Sequence, residues 1–438
     1  MSKYANWLSK EEFNKDLMKI TKKEEVSVSG IQLSSDEDSI YIDTKGGHTL
    51  VIGAPGSGKT QTIILPLINL SMLSNESMII TDPKAELYKG CKKRLEKLGY
   101  KVILIDFDDP TKGNYWNPFD IVKYEYNKNI IDSEGILENL AQYLFCNSDV
   151  ENDPFWKNSA SDFFCGISSY LLDNDKEITF EKIFELADLL TDENECKKFL
   201  EKLNKNSSSY SYLVGTLKAP KETRNSIISV FNAEINKIIS NKYISKMLSK
   251  SDFDISDISR KTAIFIVPNK YRKYSSLESI LINELYESLV IENNKNVVNF
   301  ILDEFDEISP LNNLSSILNY ARSYNIRFTC NIKSTSTIKE LYKKQNLDLI
   351  KICFSNIIYL YSNDSNTLQF ISNLCGNVKE NNNIEPLVTI EELKVIKPME
   401  AIVIKARYMP VKTKLVPSYK IDWGYEYGDD TLPEKEDI

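Results

Sequence analysis

The chain has 438 residues, 42% of them hydrophobic and 27% charged, and its 54 Lys and Arg against 63 Asp and Glu give a net charge of -9. That length allows one large core or two moderate ones, and the apolar share is ordinary for a soluble globular protein. An acidic whole excludes a general nucleic-acid coat and confines any DNA contact to a local basic lining.

The seven cysteines, at 91, 146, 165, 196, 330, 353 and 375, contain no C-x-x-C pair. They fit neither a zinc site nor a disulfide framework and read as reduced thiols. No stretch reaches the roughly 18 consecutive apolar residues of a membrane span. The N-terminus has no apolar signal core either. The expectation is a soluble, cytoplasmic chain, held at the inner face of the cell membrane only through a partner.

In chain order, Trp7, Leu8, Phe13, Leu17 and Ile20 have helical spacing and predict a short amphipathic helix within residues 1–24. Residues 26–42 alternate around Ser34-Ser35-Asp36 and predict two small strands, so 1–47 leads into the core. Compact apolar runs at 49–52, 78–81 and 101–105 predict buried strands, with a helix at 87–98 between the last two. Strand, helix, strand at that spacing is a parallel α/β unit, which opens a first core segment at 48–120. From 121 to 250 the strand signals stop and apolar residues recur at three and four, as in Ile136, Leu137, Leu140 and Leu144, predicting an all-α insertion. Strands resume at 263–267, 297–302, 328–332, 357–361 and 401–404, with a helix at 277–291, so residues 251–423 complete the core discontinuously. The acidic, apolar-poor tail at 424–438 predicts disorder.

Gly53-Ala54-Pro55-Gly56-Ser57-Gly58-Lys59-Thr60, followed by Gln61, satisfies the phosphate-loop pattern between a predicted strand and a predicted helix. Its glycines let backbone N–H groups turn inward around phosphates, Lys59 reaches the terminal phosphates of ATP, and the Thr60 hydroxyl binds Mg²⁺. The strand at 297–302 ends in Asp303 and Glu304. Asp303 is the candidate to hold Mg²⁺ and Glu304 the candidate general base for the attacking water. A strand ending in Asp-Glu is weak alone and gains force from the phosphate loop.

Further runs carry a resemblance: Thr81-Asp82-Pro83-Lys84-Ala85-Glu86-Leu87, Trp116-Asn117-Pro118-Phe119-Asp120, Asp153-Pro154-Phe155-Trp156 and Met409-Pro410-Val411-Lys412-Thr413-Lys414. With the two nucleotide motifs they make the chain similar to the type IV coupling proteins, the TraG-like ATPases of conjugative DNA transfer, over residues 46–419. The resemblance implies an α/β fold with a RecA-like P-loop NTPase core, a mostly parallel sheet and an inserted all-α domain for cargo recognition. It implies a homo-hexameric ring that moves single-stranded DNA with its attached relaxase to the channel components of a type IV secretion system.

In such rings a neighbouring subunit donates an arginine to the developing phosphate charge, and Arg322 falls where the family places it, the alternative being a solvated helix-end arginine. Lys333 stands where the family usually has glutamine. Lysine cannot accept a hydrogen bond, so it can stabilise phosphate charge but cannot orient water, and an exposed lysine without a role is the other reading. Most relatives begin with transmembrane helices. Their absence here leaves an anchorless subset, a separate small membrane anchor protein or a shortened chain.

Asn269-Lys270-Tyr271-Arg272-Lys273-Tyr274 is the basic run interleaved with aromatics, either a DNA contact lining the channel or a solvated crossover loop. His48 is expected to begin a strand rather than do acid–base work. Pro66 is expected to shape the helix after the phosphate loop. An ATP-driven motor leads. A nucleotide-stabilised recruitment platform for relaxase or protein cargo, with little turnover, is the alternative, and a chromosome-segregation or packaging motor is a weaker third.

Overall fold

The computed structural model describes residues 4–21, 26–36, 39–128, 130–146, 154–174, 176–254, 258, 260–342, 352–380 and 383–423. Asp153 and the tail at 424–438 lie outside the described residues. Strands are numbered in chain order: β1 Met18–Thr21, β2 Ile31–Ser35, β3 Ser39–Asp43, β4 His48–Gly53, β5 Ser77–Thr81, β6 Lys101–Asp106, β7 Thr262–Val267, β8 Val298–Leu302, β9 Ile326–Ile332, β10 Phe354–Tyr361, β11 Asn377–Glu380, β12 Asn383–Pro386, β13 Glu400–Lys405 and β14 Val411–Lys414.

The core is a nine-stranded sheet in the order β14-β13-β10-β4-β9-β8-β5-β7-β6. From β10 to β6 every pairing is parallel, while β13 and β14 add an antiparallel edge. Strands such as β4 and β7 are buried along their whole length, as expected where both faces of a parallel sheet are covered. Because side chains alternate across a strand, Leu50 and Ile52 enter one core while Val51 enters the other, with Ile63, Ile64, Leu67 and Ile68. The parallel strands therefore all end on the same side, and the loops that leave them share one edge.

The amino-terminal expectation needs correction. The helix spans only Lys10–Asn14, with Ser9 accepting a hydrogen bond from the Glu12 N–H, and Leu17 and Ile20 are not in it. Ile20 pairs opposite Ile40 in the antiparallel sheet β1-β3-β2. Widely spaced apolar residues fit either period here, and strand pairing with β3 decided the outcome. Three strands of the second core segment gave no clear signal: β14, whose lysines alternate with buried Val411 and Thr413, and the largely exposed pair β11–β12.

Between β6 and β7 the described elements are helices alone, from Asp120–Lys128 to Lys242–Met247. Their starts are set by side-chain caps: Thr179 accepts from the Lys182 N–H, Asp192 from Asn194 and Glu195, and Asn241 from Tyr243. Their interior is aromatic, with Phe145 stacked on Phe231 at 5.8 Å and Phe119 set edge-on to Phe180 at 5.2 Å. The Trp116-Asn117-Pro118 run stitches the two ends of this region together. Trp116 N–H donates to the Met247 carbonyl at 2.9 Å, Asn117 N–H to Ser251 Oγ at 2.9 Å, and the Tyr115 carbonyl accepts from Asp252 at 3.1 Å. The Trp116 indole N–H reaches Glu284 of the core helix Ser275–Ile291 at 3.0 Å. Burial pushes the Glu284 carboxyl well above the usual carboxylate range, opposed by the Trp116 hydrogen bond.

Candidate nucleotide-binding site

β4 ends at Gly53, and the loop leaving it is pinned by Ala54 N–H donating to the Tyr361 carbonyl of β10 at 2.8 Å. Gly56 and Gly58 take φ of 76° and 89°, a region that favours glycine. Gly53 leaves room of another kind. A Cβ there would collide with the Ser57 hydroxyl and lie 3.2 Å from Lys59 Cγ. Residues Thr60–Ile64 form a π-turn, with Leu65 N–H bonding back to Thr60, before the α-helix Leu65–Leu73. Pro66 sits in the first turn of that helix, where its missing N–H costs nothing inside it. Pro66 therefore shapes the helix without kinking its interior.

In the loop as it stands, the Lys59 ammonium donates to the Gly53 carbonyl and to Ala54 O at 3.3 Å. The buried Ser57 Oγ has no hydrogen-bond partner. Such an orphan is costly, and it lies in a loop whose glycines hold open a backbone cradle. Burial lowers the Lys59 pKa in spite of the neighbouring carboxylates Asp303, Asp306 and Glu304.

Asp303 follows β8, two places from β4 with β9 between, so the ends of β4 and β8 are about 10 Å apart at strand spacing. Lys59 and Asp303 accordingly act on each other electrostatically. Burial raises the Asp303 pKa, opposed by a hydrogen bond from Asn331 Nδ2 at 3.3 Å and by the Lys59 charge. Thr81 Oγ1 donates to the Asp303 carbonyl at 2.8 Å. Its neighbour Asp82 accepts from the Tyr88 N–H at 2.8 Å at the start of the helix Glu86–Lys97, and burial pushes its carboxyl up to about 6. The Thr81-Asp82-Pro83 run thus braces the strand end that carries Asp303. Among the described residues no group of three or more His, Cys, Asp or Glu could hold a metal. A cation such as Mg²⁺ fits if phosphate oxygens and waters complete the shell that Thr60 and Asp303 begin.

Glu304 sits in the left-handed region at φ 49°, and its carboxylate is already paired. Arg272 Nη2 donates to Glu304 Oε2 at 2.9 Å, and Lys333 Nζ lies 3.7 Å from Oε1. Lys333 also donates to Glu307 at 2.7 Å, and its backbone N–H bonds Asp306 at 2.9 Å. Burial alone would lower Lys333, yet Glu307, Glu304 and Asp306 hold its ammonium above the usual range. Reading the sequence alone placed Thr81 and Asp82 in a family run and Arg272 in a basic run, but gave neither them nor Asn331 a part in this site. The signal for Thr81 and Asp82 was their position at the end of a buried strand, while nothing local pointed Arg272 to Glu304.

Arg322 is not part of this cluster. It precedes β9, so a strand of about 20 Å separates it from the phosphate-loop end. Among the described residues its side chain has no hydrogen bond or ion pair, and it lines an open groove with Lys45, Asn319 and Arg327. His48 begins β4 nearby and is fully buried. Its Nδ1 accepts from the Phe328 N–H at 3.0 Å, which leaves Nε2 as the donor to the Leu318 carbonyl at 2.7 Å. Burial drives its pKa down to about 4, with the Arg322 charge assisting.

A parallel sheet that feeds a glycine-rich loop into a helix, with an acidic strand end two places away, defines the RecA-like P-loop nucleoside triphosphatase fold. Solved structures agree. The plasmid coupling protein TrwB in complex with the non-hydrolysable ATP analogue ADPNP is similar at TM-score 0.72 and 15% identity, over 94% of each chain. TrwB in complex with ADP and Mg²⁺ gives 0.72 at 14% identity, again over 94% of each chain. VirB4 of Thermoanaerobacter pseudethanolicus gives 0.53 at 12%, over 88% of this chain and 96% of that one. None of the curated proteins compared with the chain matches it. The profile of the Type IV secretory system Conjugative DNA transfer family matches residues 2–430, and the chain belongs to that family. No described helix is long and apolar enough to cross a membrane.

Proposed function

We propose that the chain is an ATP-hydrolysing coupling motor that recruits single-stranded DNA, with its attached relaxase, and drives it to a type IV secretion channel. The observation that carries this reading is the convergence of Lys59, the unsatisfied Ser57 hydroxyl and Asp303 at one edge of the sheet. Residues 53–61 cradle the triphosphate of ATP, and Lys59 leaves the carbonyls it now bonds to meet the terminal phosphates. Thr60 and Asp303 hold Mg²⁺, which when bound neutralises charge on the phosphate oxygens. Glu304 accepts a proton from the attacking water. Arg322, remote from its own chain's site, serves a neighbour's nucleotide in a hexameric ring at the inner face of the membrane. TrwB's complexes with ADPNP and with ADP and Mg²⁺ support the choice of nucleotide and metal.

The test is steady-state ATP hydrolysis with and without single-stranded DNA, comparing wild type with Lys59→Ala. Equal turnover in both proteins sinks the reading. A second reading, the recruitment platform with little turnover, draws on Lys333, which is locked to Glu307 and near Glu304 where a water-orienting glutamine usually stands. Tight ATP binding without turnover, with DNA present and at high protein concentration, is its signature.

A further inference from the structure

Residues 269–274 leave β7 at the same edge as the phosphate loop. The outer face of this loop is exposed and cationic: Lys270 and Lys273 are exposed, and Tyr271 is 79% exposed, with the Lys270 ammonium 5.2 Å from its ring centre. An exposed aromatic between cations suits a single strand, whose phosphates follow the charges while a base stacks on the ring. The inner face is occupied differently. Arg272 turns inward at φ 54°, a conformation a non-glycine side chain keeps only when its contacts hold it.

Those contacts divide one guanidinium between two carboxylates. Nη1 lies 3.4 Å from Glu278, which is 1% exposed, and Nη2 lies 2.9 Å from Glu304. An arginine needed only to compensate buried Glu278 would make its closer bond there. Instead the shorter bond goes to the residue next to Asp303 and takes Glu304 Oε2, while Lys333 Nζ lies 3.7 Å from Oε1, so both oxygens that could accept a water proton face a cation. Phosphodiester oxygens compete well for a guanidinium, because they match its planar fork.

We propose that Arg272 is a positioning residue that latches Glu304, and that single-stranded DNA on the outer face of its loop draws the guanidinium away and frees the carboxylate. This rests on reading Glu304 as the water-activating group. The latch couples a strand outside the nucleotide site to hydrolysis inside it, through one side chain.

The experiment measures ATP turnover of the full chain, with and without an oligothymidine strand, for wild type, Arg272→Gln and Arg272→Lys. Thermal unfolding with ATP and Mg²⁺ confirms that each variant is folded and binds nucleotide. The expected result is a DNA-free kcat about tenfold above wild type in Arg272→Gln, with KM for ATP within about twofold and stimulation by DNA lost. Arg272→Lys keeps part of the stimulation, since lysine can pair with Glu304 as a point charge. Lys270→Ala combined with Lys273→Ala raises the DNA concentration for half-maximal stimulation by about tenfold. A folded Arg272→Gln protein whose DNA-free rate and stimulation equal those of wild type overturns the latch while leaving the ATPase reading intact. A wild type silent under every condition, with turnover appearing in Arg272→Gln, overturns release of the latch by DNA and retires the DNA-driven motor. Silence in both overturns the latch.

Discussion

The two ends of the central sheet are built in opposite ways. At the carboxyl end, the phosphate loop, Asp303, Asp306, Glu304, Lys333 and Arg272 form a dense network in which nearly every charge has an opposite within one chain. At the amino end, Arg322 stands beside Lys45 and Arg327 in an open groove, with no described side chain bonded to it. Arg327 there is engaged by its own chain, donating to the Ser29 carbonyl at 2.9 Å and lying 3.9 Å from Glu76, so it is Arg322 that is poised for an anion from outside, whereas the carboxyl end needs only a ligand that replaces bonds already made. Nucleotide binding on this view is a property of a single chain, and hydrolysis is a property of an assembly.

That contrast breaks most sharply at Arg322. Arg322→Ala is expected to lower turnover on the order of 10³-fold or more where subunits assemble, while the dilute chain's affinity for ATP stays within about twofold. Nucleotide titration beside a concentration series of ATPase rates measures both, and unchanged turnover would make Arg322 a solvated arginine. Next, Glu304→Gln is expected to cut kcat by roughly 10²–10⁴ with ATP binding retained. Loss of both together would move Glu304 from chemistry to structure.

The amino end also carries a pH signature. His48 has a folded pKa of about 4, below its ordinary 6.5. Its neutral form therefore contributes stability that is complete above pH 6.5 and lost as pH falls toward 4, amounting to about 3 kcal/mol. The raised carboxyls of Glu278 and Glu287, both about 7, act with the opposite sign as pH rises from the ordinary carboxyl range. The readout is thus the difference between wild type and His48→Gln in denaturant unfolding across that window, and parallel curves would remove His48 from the account. Smallest is Lys333→Gln, which removes partly exposed ion pairs and is expected to change kcat less than about tenfold in the upward direction. A large fall would make Lys333 part of the phosphate chemistry.

Much of this was legible before the fold was known, for reasons that differ by element. The buried strands announce themselves as compact apolar runs because both sheet faces are covered, and the phosphate loop because its glycines answer to geometry. Asp303 could be placed beside Lys59 because strand ends in a parallel sheet share an edge. Arg272 could not be placed on Glu304, since the contact joins two loops through a side chain whose surroundings look like any solvated basic run. The strand at Met18–Thr21 was hidden by a different cause: its partner Ser39–Asp43, and not its own spacing, decides its conformation.

Met247, Ser251 and Asp252 clasp Tyr115, Trp116 and Asn117 beside the neighbouring strands β6 and β7, and farther out Asn139 donates to Glu287 at 3.0 Å and the Asn312 N–H to the Tyr143 hydroxyl at 2.8 Å, so the helical region is tied to the core at its root and along its flank. A body fastened in both places has no free hinge. Any tilt of that sheet edge during the nucleotide cycle would carry the far helices with it as one piece, so their outermost residues would travel farthest.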